Sequence, residues 1–450
     1  MQPADRAFDH PMEAAQATAV RRVPSRDDWL DAVNPEQQPM PVRVIGPVGV
    51  QLLRASLRRA RFAGDGQDGA KHHSAFHRLF AAARWSLDDL GLAVFGLIEP
   101  WLGDGPVLLA LDDTLARKRG LKIHGVGMHH DPLLSTRKVA LVNWGHSWVI
   151  LGVIVRLPFR PNHCFCLPIL FRLYISKQTI ARRGGLYRTR PELAVEMLNT
   201  LCGAWNKRRF HVITDSAYGG KSVLCRLPDN CDLTSRLDLK ARLHEPPPAR
   251  KPGTNGRPRR RGPRLPTPLE RLQQRAARLT LDLYGRRDHC RVAECEARVY
   301  AAPQRPLRIV AVEPLSGGRT TQAFYSTVHD ATAAQVLTWY AMRWSIEETF
   351  QAAKGQLGFE EPQGWTRRAV ERSAPTAMLL FSLIVLWFAR DGHHRYHAPN
   401  RPWYTHKTGI CFTDMLNTLR CESVRAKVLS LPGQGRGHKQ LVKTVLNIAQ

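Results

Sequence analysis

Helical and strand-like rhythms take turns along this chain. From about residue 41 to 102 apolar positions recur at helical spacing. In VGVQLLRASLRRARFA (48–63) they line one face and basic residues line the other. SAFHRLFAAARWSLDDLGLAVFGLIEPWL (74–102) predicts one or two further helices, with Ser86 ahead of LDDL as an N-cap. The rhythm then changes. In GPVLLALDDT (105–114) the compact run Val107–Leu111 predicts a strand buried on both faces, ending at Asp112 and Asp113. A Gly/His-rich loop, KRGLKIHGVGMHHDP, precedes three strand-like stretches, KVALVNWGH, SWVILGVIVRLPF and FCLPILFRLYI, which read as a meander. Residues 187–206 form an amphipathic helix with Leu193, Met197, Leu198 and Leu201 on one side. RFHVITDSAYGG (209–220) then supplies another short buried strand that ends in Asp215. Three strands, a helix and a parallel strand predict an open α/β sheet, and such sheets place their sites near strand ends.

The pattern breaks at PPPARKPGTNGRPRRRGPRLPTP (246–268). This stretch has no core-forming residues and dense positive charge, and it reads as a surface loop able to grip phosphates. CRVAECEARVYAA, LRIVAVEP and TTQAFYSTV, with a Gly-Gly turn at 317–318, predict a small β-rich subdomain. A single long helix, TAAQVLTWYAMRWSIEETFQAAKGQLG (332–358), follows. AMLLFSLIVLWFA (377–389) reads as a buried helix, too short to span a bilayer. The divisions are a disordered 1–27, a helical and DNA-binding module over 28–105, and a core in two parts, 106–235 and 331–392. A basic loop and β-rich insertion over 236–330 separates the two parts. A basic tail over 393–450 is weakly structured until a last helix near 437–449.

Charge narrows the function. The 450 residues carry 66 Lys+Arg against 38 Asp+Glu, a formal +28, which favours a polyanionic partner, nucleic acid foremost. The N-terminus lacks the apolar stretch of a secretory signal, so a cytoplasmic, nucleoid-associated protein with no membrane partner is expected. Nine cysteines without repeated spacing fit a reducing compartment, and neither HCFC (163–166) nor Cys290/Cys295 has the spacing of a zinc site.

Chemistry enters with YAMRWSIEETFQAAK (340–354). At about 100° per residue, Tyr340, Arg343, Glu347 and Lys354 share one stripe about 60° wide. Trp339, Ile346, Phe350 and Leu357 make an apolar stripe beside it, and Glu348 points to solvent. A surface helix with an incidental Arg343–Glu347 pair would show the same stripe. Two strand-end acids change the weighting. Asp112 or Asp113, Asp215 and Glu347 converging at one sheet edge would repel one another and require cations, and hard oxygen ligands select Mg²⁺ or Mn²⁺. Two such ions would serve phosphodiester cleavage.

The spacing Y-x2-R-x3-E-x6-K resembles the Tyr-Arg-Glu-Lys signature of bacterial insertion-sequence DDE transposases. LLALDDT resembles the first-aspartate strand of that family and VITDSAYGG the second. The segment LTSRLDLKARLHEPPPARKPGTNGRPRRRGPRLP resembles the basic segment of a subgroup, the DDE superfamily endonucleases. The resemblance spans about residues 75–390. It implies an RNase H-like (retroviral-integrase-like) core interrupted by a β-rich insertion, with Asp112, Asp215 and Glu347 as metal-binding catalytic acids. A Thr two residues after the ligand favours Asp112 over Asp113, and the apolar flanks leave that choice open. It implies Tyr340, Arg343 and Lys354 on DNA phosphates, two Mg²⁺ ions with Mn²⁺ as substitute, and a homodimer joining two transposon ends. Cut-and-paste cleavage and joining at terminal inverted repeats, with target DNA as second substrate and in some members a hairpin at the end, is the implied activity. An RNase H-like DNA nuclease without strand transfer and a domesticated, non-catalytic DNA-binding protein are the alternatives.

Overall fold

The computed structural model describes residues 73–131, 134–135, 139–249, 257, 259–283, 285–315, 319–398 and 409–429. The helix expected at 48–63, the Gly-Gly turn and the last helix near 437–449 lie outside them. The chain opens with α1 (His73–Ala81) and α2 (Leu87–Ile98), the latter capped by the Ser86 hydroxyl, which accepts from the Asp89 N–H at 3.2 Å. Strands β1 (Val107–Arg117), β2 (Gly127–His130), β3 (Val142–Leu157) and β4 (Arg160–Tyr174) follow, then α3 (Lys177–Arg183) and α4 (Arg190–Ala204). The two stretches expected on either side of His146 are one strand, β3. After β5 (Phe210–Thr214), α5 (Lys221–Leu224) and β6 (Cys231–Leu237) come the short β7 (Leu243–His244) and β8 (Arg264–Leu265), α6 (Pro268–Gln274), β9 (Ala277–Leu283), β10 (Arg286–Val299), β11 (Ala302–Pro314) and β12 (Gln322–Ser326). The described chain ends with α7 (Ala333–Met342), α8 (Ser345–Gln356), α9 (Arg367–Arg390) and α10 (Phe412–Leu429).

All twelve strands belong to one sheet, in the order β2-β3-β1-β5-β6-β12-β11-β10-β7-β8, with β4 on β3 and β9 on β10. Strands β4, β3 and β1 form an antiparallel meander, and β5 and β6 add to β1 in parallel. The helix and strand order of an open α/β sheet is therefore as expected. The β-rich stretch, however, is not a body apart. β12 pairs antiparallel with β6 from Ala323↔Leu237 to Ser326↔Thr234, so the stretch expected as an insertion continues the same sheet. Its apolar residues fill both faces of that extension, Val292, Val310 and Phe324 beneath α7 and Ala293 and Ala311 beside α6.

The core sits around β1, β3, β4 and β5. α2 and α9 press on β4, α4 packs on β3 and β4, and α8 packs on β4 and β1. Leu109, Val153, Leu167, Phe210 and Phe388 are fully buried there. The described part of the expected N-terminal module is thus built into the core, since Val94, Phe95 and Ile98 of α2 are fully buried. α9 reaches Arg367, ten residues before the expected start. By length and composition it matches a membrane span, but 83% of its most apolar 18-residue window is buried inside the fold. The C-terminal expectation also changes. α10 lays Phe412, Met415, Leu416 and Leu419 on the core, with Phe412 stacked on Phe381 at 4.5 Å. Its i, i+3, i+4, i+7 spacing is helical, but the surrounding His and Arg residues obscured it.

Candidate active site

Register brings the two aspartates together. β1 and β5 pair in parallel from Val107↔Phe210 to Leu111↔Thr214. Asp112 and Asp215 are the next residues on the two strands, which run about 4.8 Å apart. Asp112 is not after its strand, as expected, but in the middle of it. β1 continues to Arg117 on β3 alone, where Asp112 opposes Ile150 and Asp113 opposes Val149.

Strand alternation then separates the tandem acids. Asp112 faces Arg343, whose Nη1 donates to its Oδ2 at 2.5 Å, and Nη2 of the same guanidinium donates to Glu347 Oε1 at 2.9 Å. Asp113 faces the other way. Its Oδ1 accepts from Tyr218 Oη at 2.7 Å and its Oδ2 lies 3.3 Å from Arg190 Nε, at the start of α4. The expectation left Asp112 and Asp113 open because both flanks of the strand are apolar; the folded chain sends them to different partners.

The long helix expected over 332–358 is two. α7 stops at Met342 and α8 starts at Ser345. Arg343 (φ −55°, ψ −31°) and Trp344 (φ −54°, ψ −26°) take a 3₁₀-like turn between them. The N–H groups of Arg343, Trp344, Ile346 and Glu347 all bond three residues back, and the Ser345 hydroxyl donates to the Met342 carbonyl at 2.8 Å. The turn winds the polar stripe more tightly at Arg343. Tyr340 packs its ring on Phe324 at 4.4 Å and lies 5.6 Å from the Arg343 guanidinium. Lys354, further along α8, donates to the Leu115 carbonyl of β1 at 2.7 Å and sits 3.7 Å from Glu360. The stripe thus runs from β12 across to β1. All three expected phosphate contacts are half-buried and engaged within the protein. Glu348 is 49% exposed, 3.3 Å from His163.

Electrostatics mark this corner. Burial pushes the Asp112 carboxyl up to about 7; Arg343 opposes the shift, and Asp215 and Asp113 add to it. Burial likewise raises Asp215 and Tyr340 and lowers Lys354. The neighbouring acids hold Arg343 charged against its burial. Asp112 has a stability consequence. A carboxyl raised in the folded state binds more protons there than in the unfolded chain. Metal-free protein therefore loses stability through this group as pH rises from about 4 to about 7. Denaturant melts at pH 4.5 and 7.5 should show a smaller fall for Asp112→Asn than for the parent. An equal fall would exclude Asp112 as its source.

Three hydroxyls fix the turn that carries Asp215. Ser235 Oγ donates to the Asp215 carbonyl at 2.8 Å, Tyr325 Oη to the Gly219 carbonyl at 2.6 Å, and Tyr218 Oη ties the turn to Asp113. Gly219 is needed here, because a Cβ would meet Ser235 Oγ at 2.3 Å. Asp215 Oδ1 accepts from the Ala217 N–H at 2.9 Å. Sequence reasoning missed this cluster, although a Tyr three residues after Asp215 was its visible sign. Tyr218→Phe leaves Asp113 without this donor and costs about 1 kcal/mol of stability. The expected activity loss is larger than that stability loss explains, about tenfold, because Asp215 shifts. Unchanged turnover in a folded Tyr218→Phe variant would show that the turn holds without it.

As donors, Asp112, Asp215 and Glu347 fit a hard divalent cation, since they offer only carboxylate oxygens. Among the described residues no three acids, histidines or cysteines stand as a ready ligand set. Arg343 supplies the positive charge between Asp112 and Glu347 instead. The cysteines of the described chain are free thiols, Cys166, Cys202, Cys231 and Cys290 among them buried.

The family model for the DDE superfamily endonucleases matches residues 57–296, more than half of the chain, and the chain belongs to that family. The matched segment carries Asp112 and Asp215 and ends before Glu347. The likeness narrows to insertion-sequence transposases: the chain is 25% identical over 163 residues to the probable transposase for insertion sequence element IS701 of Microchaete diplosiphon. That stretch is 36% of this chain and spans 39% of the relative's length. The cryo-EM structure of the piggyBac transposase synaptic complex with hairpin DNA is 11% identical, covering 92% of this chain and 73% of that one. Its TM-score of 0.38 is too low for the likeness to bear on this fold.

Proposed function

We propose that the chain is a DNA transposase, which cleaves and joins phosphodiester bonds at the ends of an insertion sequence by cut-and-paste. The observation that carries this reading is the parallel register that sets Asp112 beside Asp215, with Arg343 joining Asp112 to Glu347. Membership of the endonuclease family and the transposase relative support it. We read β4-β3-β1-β5-β6 as an RNase H-like core, interrupted between Asp215 and Glu347 by the β-rich insertion. Antiparallel pairing of the first three strands and parallel pairing of the last two support that reading.

Asp112, Asp215 and Glu347 would hold two Mg²⁺ ions, with Mn²⁺ able to substitute. Bound divalent ions supply Lewis-acid stabilisation of the scissile phosphate and an activated water. The chain's own task is to hold the three carboxylates in place through the clamped turn after β5 and the anchoring of α8. Tyr340, Arg343 and Lys354 lie along the same stripe and would orient phosphates of the terminal inverted repeat. The formal +28 supports double-stranded DNA, transposon end and target alike, as the partner. A homodimer would bring two ends together, in the bacterial cytoplasm at the nucleoid.

The test is a supercoiled plasmid carrying the element's ends, incubated with protein and Mg²⁺ or Mn²⁺. Excision and joined products are expected. Cut fragments without joined molecules would leave an RNase H-like nuclease, and no metal-dependent cleavage at all would sink the reading.

A further inference from the structure

Arg343 faces inward. Its side chain is 12% exposed, both terminal nitrogens lie on acids, and its buried Nε has no hydrogen-bond partner. A fork placed like this offers nothing to an outside phosphate. Nor are Asp112 Oδ2 and Glu347 Oε1 free, because the guanidinium already takes both. Two carboxylates this close, Asp112 mostly and Glu347 partly out of water, need a counter-charge, and Arg343 is the cation paired with both.

We infer that Arg343 is the internal counter-cation of the metal-free site, paired with two of the acids that would hold a divalent cation, so that metal entry and Arg343 release are one event. This rests on the reading of these acids as metal ligands. Release is local. Arg343 sits in the 3₁₀-like turn between α7 and α8, next to Trp344, which is 50% exposed. A freed guanidinium requires another anion, and a phosphate of bound DNA has the fork-matching geometry. Linkage then follows. A divalent cation on the acids frees Arg343 for DNA, and DNA on Arg343 frees the acids for the cation, each raising the other's affinity by the same factor.

Direct metal binding tests this without relying on turnover. The full chain, stripped of metal, is titrated with Mn²⁺ and the free ion is read from its electron paramagnetic resonance signal. Wild type, Arg343→Gln and Asp112→Asn are compared, with and without a duplex oligonucleotide, and thermal melts check folding. Arg343→Gln is expected to bind Mn²⁺ about tenfold more tightly than wild type in the absence of DNA. The duplex is expected to tighten Mn²⁺ binding by wild type and to leave Arg343→Gln nearly unchanged. Arg343→Lys, which keeps the charge but not the fork, should lie between. Equal affinities for wild type and Arg343→Gln, with Asp112→Asn losing the ion, would overturn the counter-cation role and leave the metal site standing. Wild-type affinity in Asp112→Asn would remove the metal site and this inference together.

Discussion

If the proposed transposase reading holds, Asp112→Asn and Glu347→Gln are each expected to lower metal-dependent DNA cleavage by about a thousandfold or more, and Asp113→Asn to retain it within about tenfold. The contrast follows from strand geometry. Neighbouring side chains on β1 leave from opposite faces, so the tandem acids serve different partners. Asp112 has Arg343 and, through it, Glu347; Asp113 has Tyr218 and Arg190. Asparagine at 113 keeps an oxygen for the Tyr218 hydroxyl and loses only the charge facing Arg190. Asparagine at 112 removes a carboxylate from the cluster itself. Plasmid cleavage by the three purified variants, each shown to be folded, decides the matter. An inactive Asp113→Asn beside an active Asp112→Asn would exchange their roles.

The largest stability effect falls at Gly91. α2 lies so close to β4 that a Cβ at Gly91 would meet the Ile169 carbonyl oxygen at 1.9 Å and Leu170 Cδ2 at 3.2 Å. The obstacle is backbone, which no rotamer change removes. Gly91→Ala should therefore cost about 3 kcal/mol and lower the melting temperature by about 3–4 °C. Gly96, in the same helix, provides the control. Its nearest neighbour is Trp205 at 3.9 Å, so Gly96→Ala fits and should be neutral or stabilise by up to about 1 kcal/mol. Similar melting temperatures for the two variants would mean that α2 is not held against β4 in this way.

Local pattern carried β1, β4, β5, β10, β11 and β12, though not β2, β6 or β9, and the position of Asp215 immediately after β5, because a short run such as FHVIT is buried along its whole length. It also placed Arg343 and Glu347 within reach of one another, as i, i+4 neighbours. What it missed depends on distant partners. Val107–Leu111 is apolar on both faces, so nothing in it tells Asp112 from Asp113; only β3, β5 and the helices on either side do. No Gly or Pro marks the turn at Arg343–Trp344, and its residues are compatible with a continuous helix. The union of β12 with β6 depends on segments far apart in sequence, which local rhythm does not report. The residues at 412–429 carried a helical rhythm masked by a basic neighbourhood.

The seam between β6 and β12 also sets an order in time. A chain emerging from the ribosome completes Asp112 and Asp215 early, then leaves β6 with an open edge until Gln322–Ser326 arrives to cover it. Glu347 comes later still. A product that stops within the insertion therefore has two acids without the third, and a bare strand edge that invites aggregation. The complete corner of acids exists only in a molecule whose sheet is already closed.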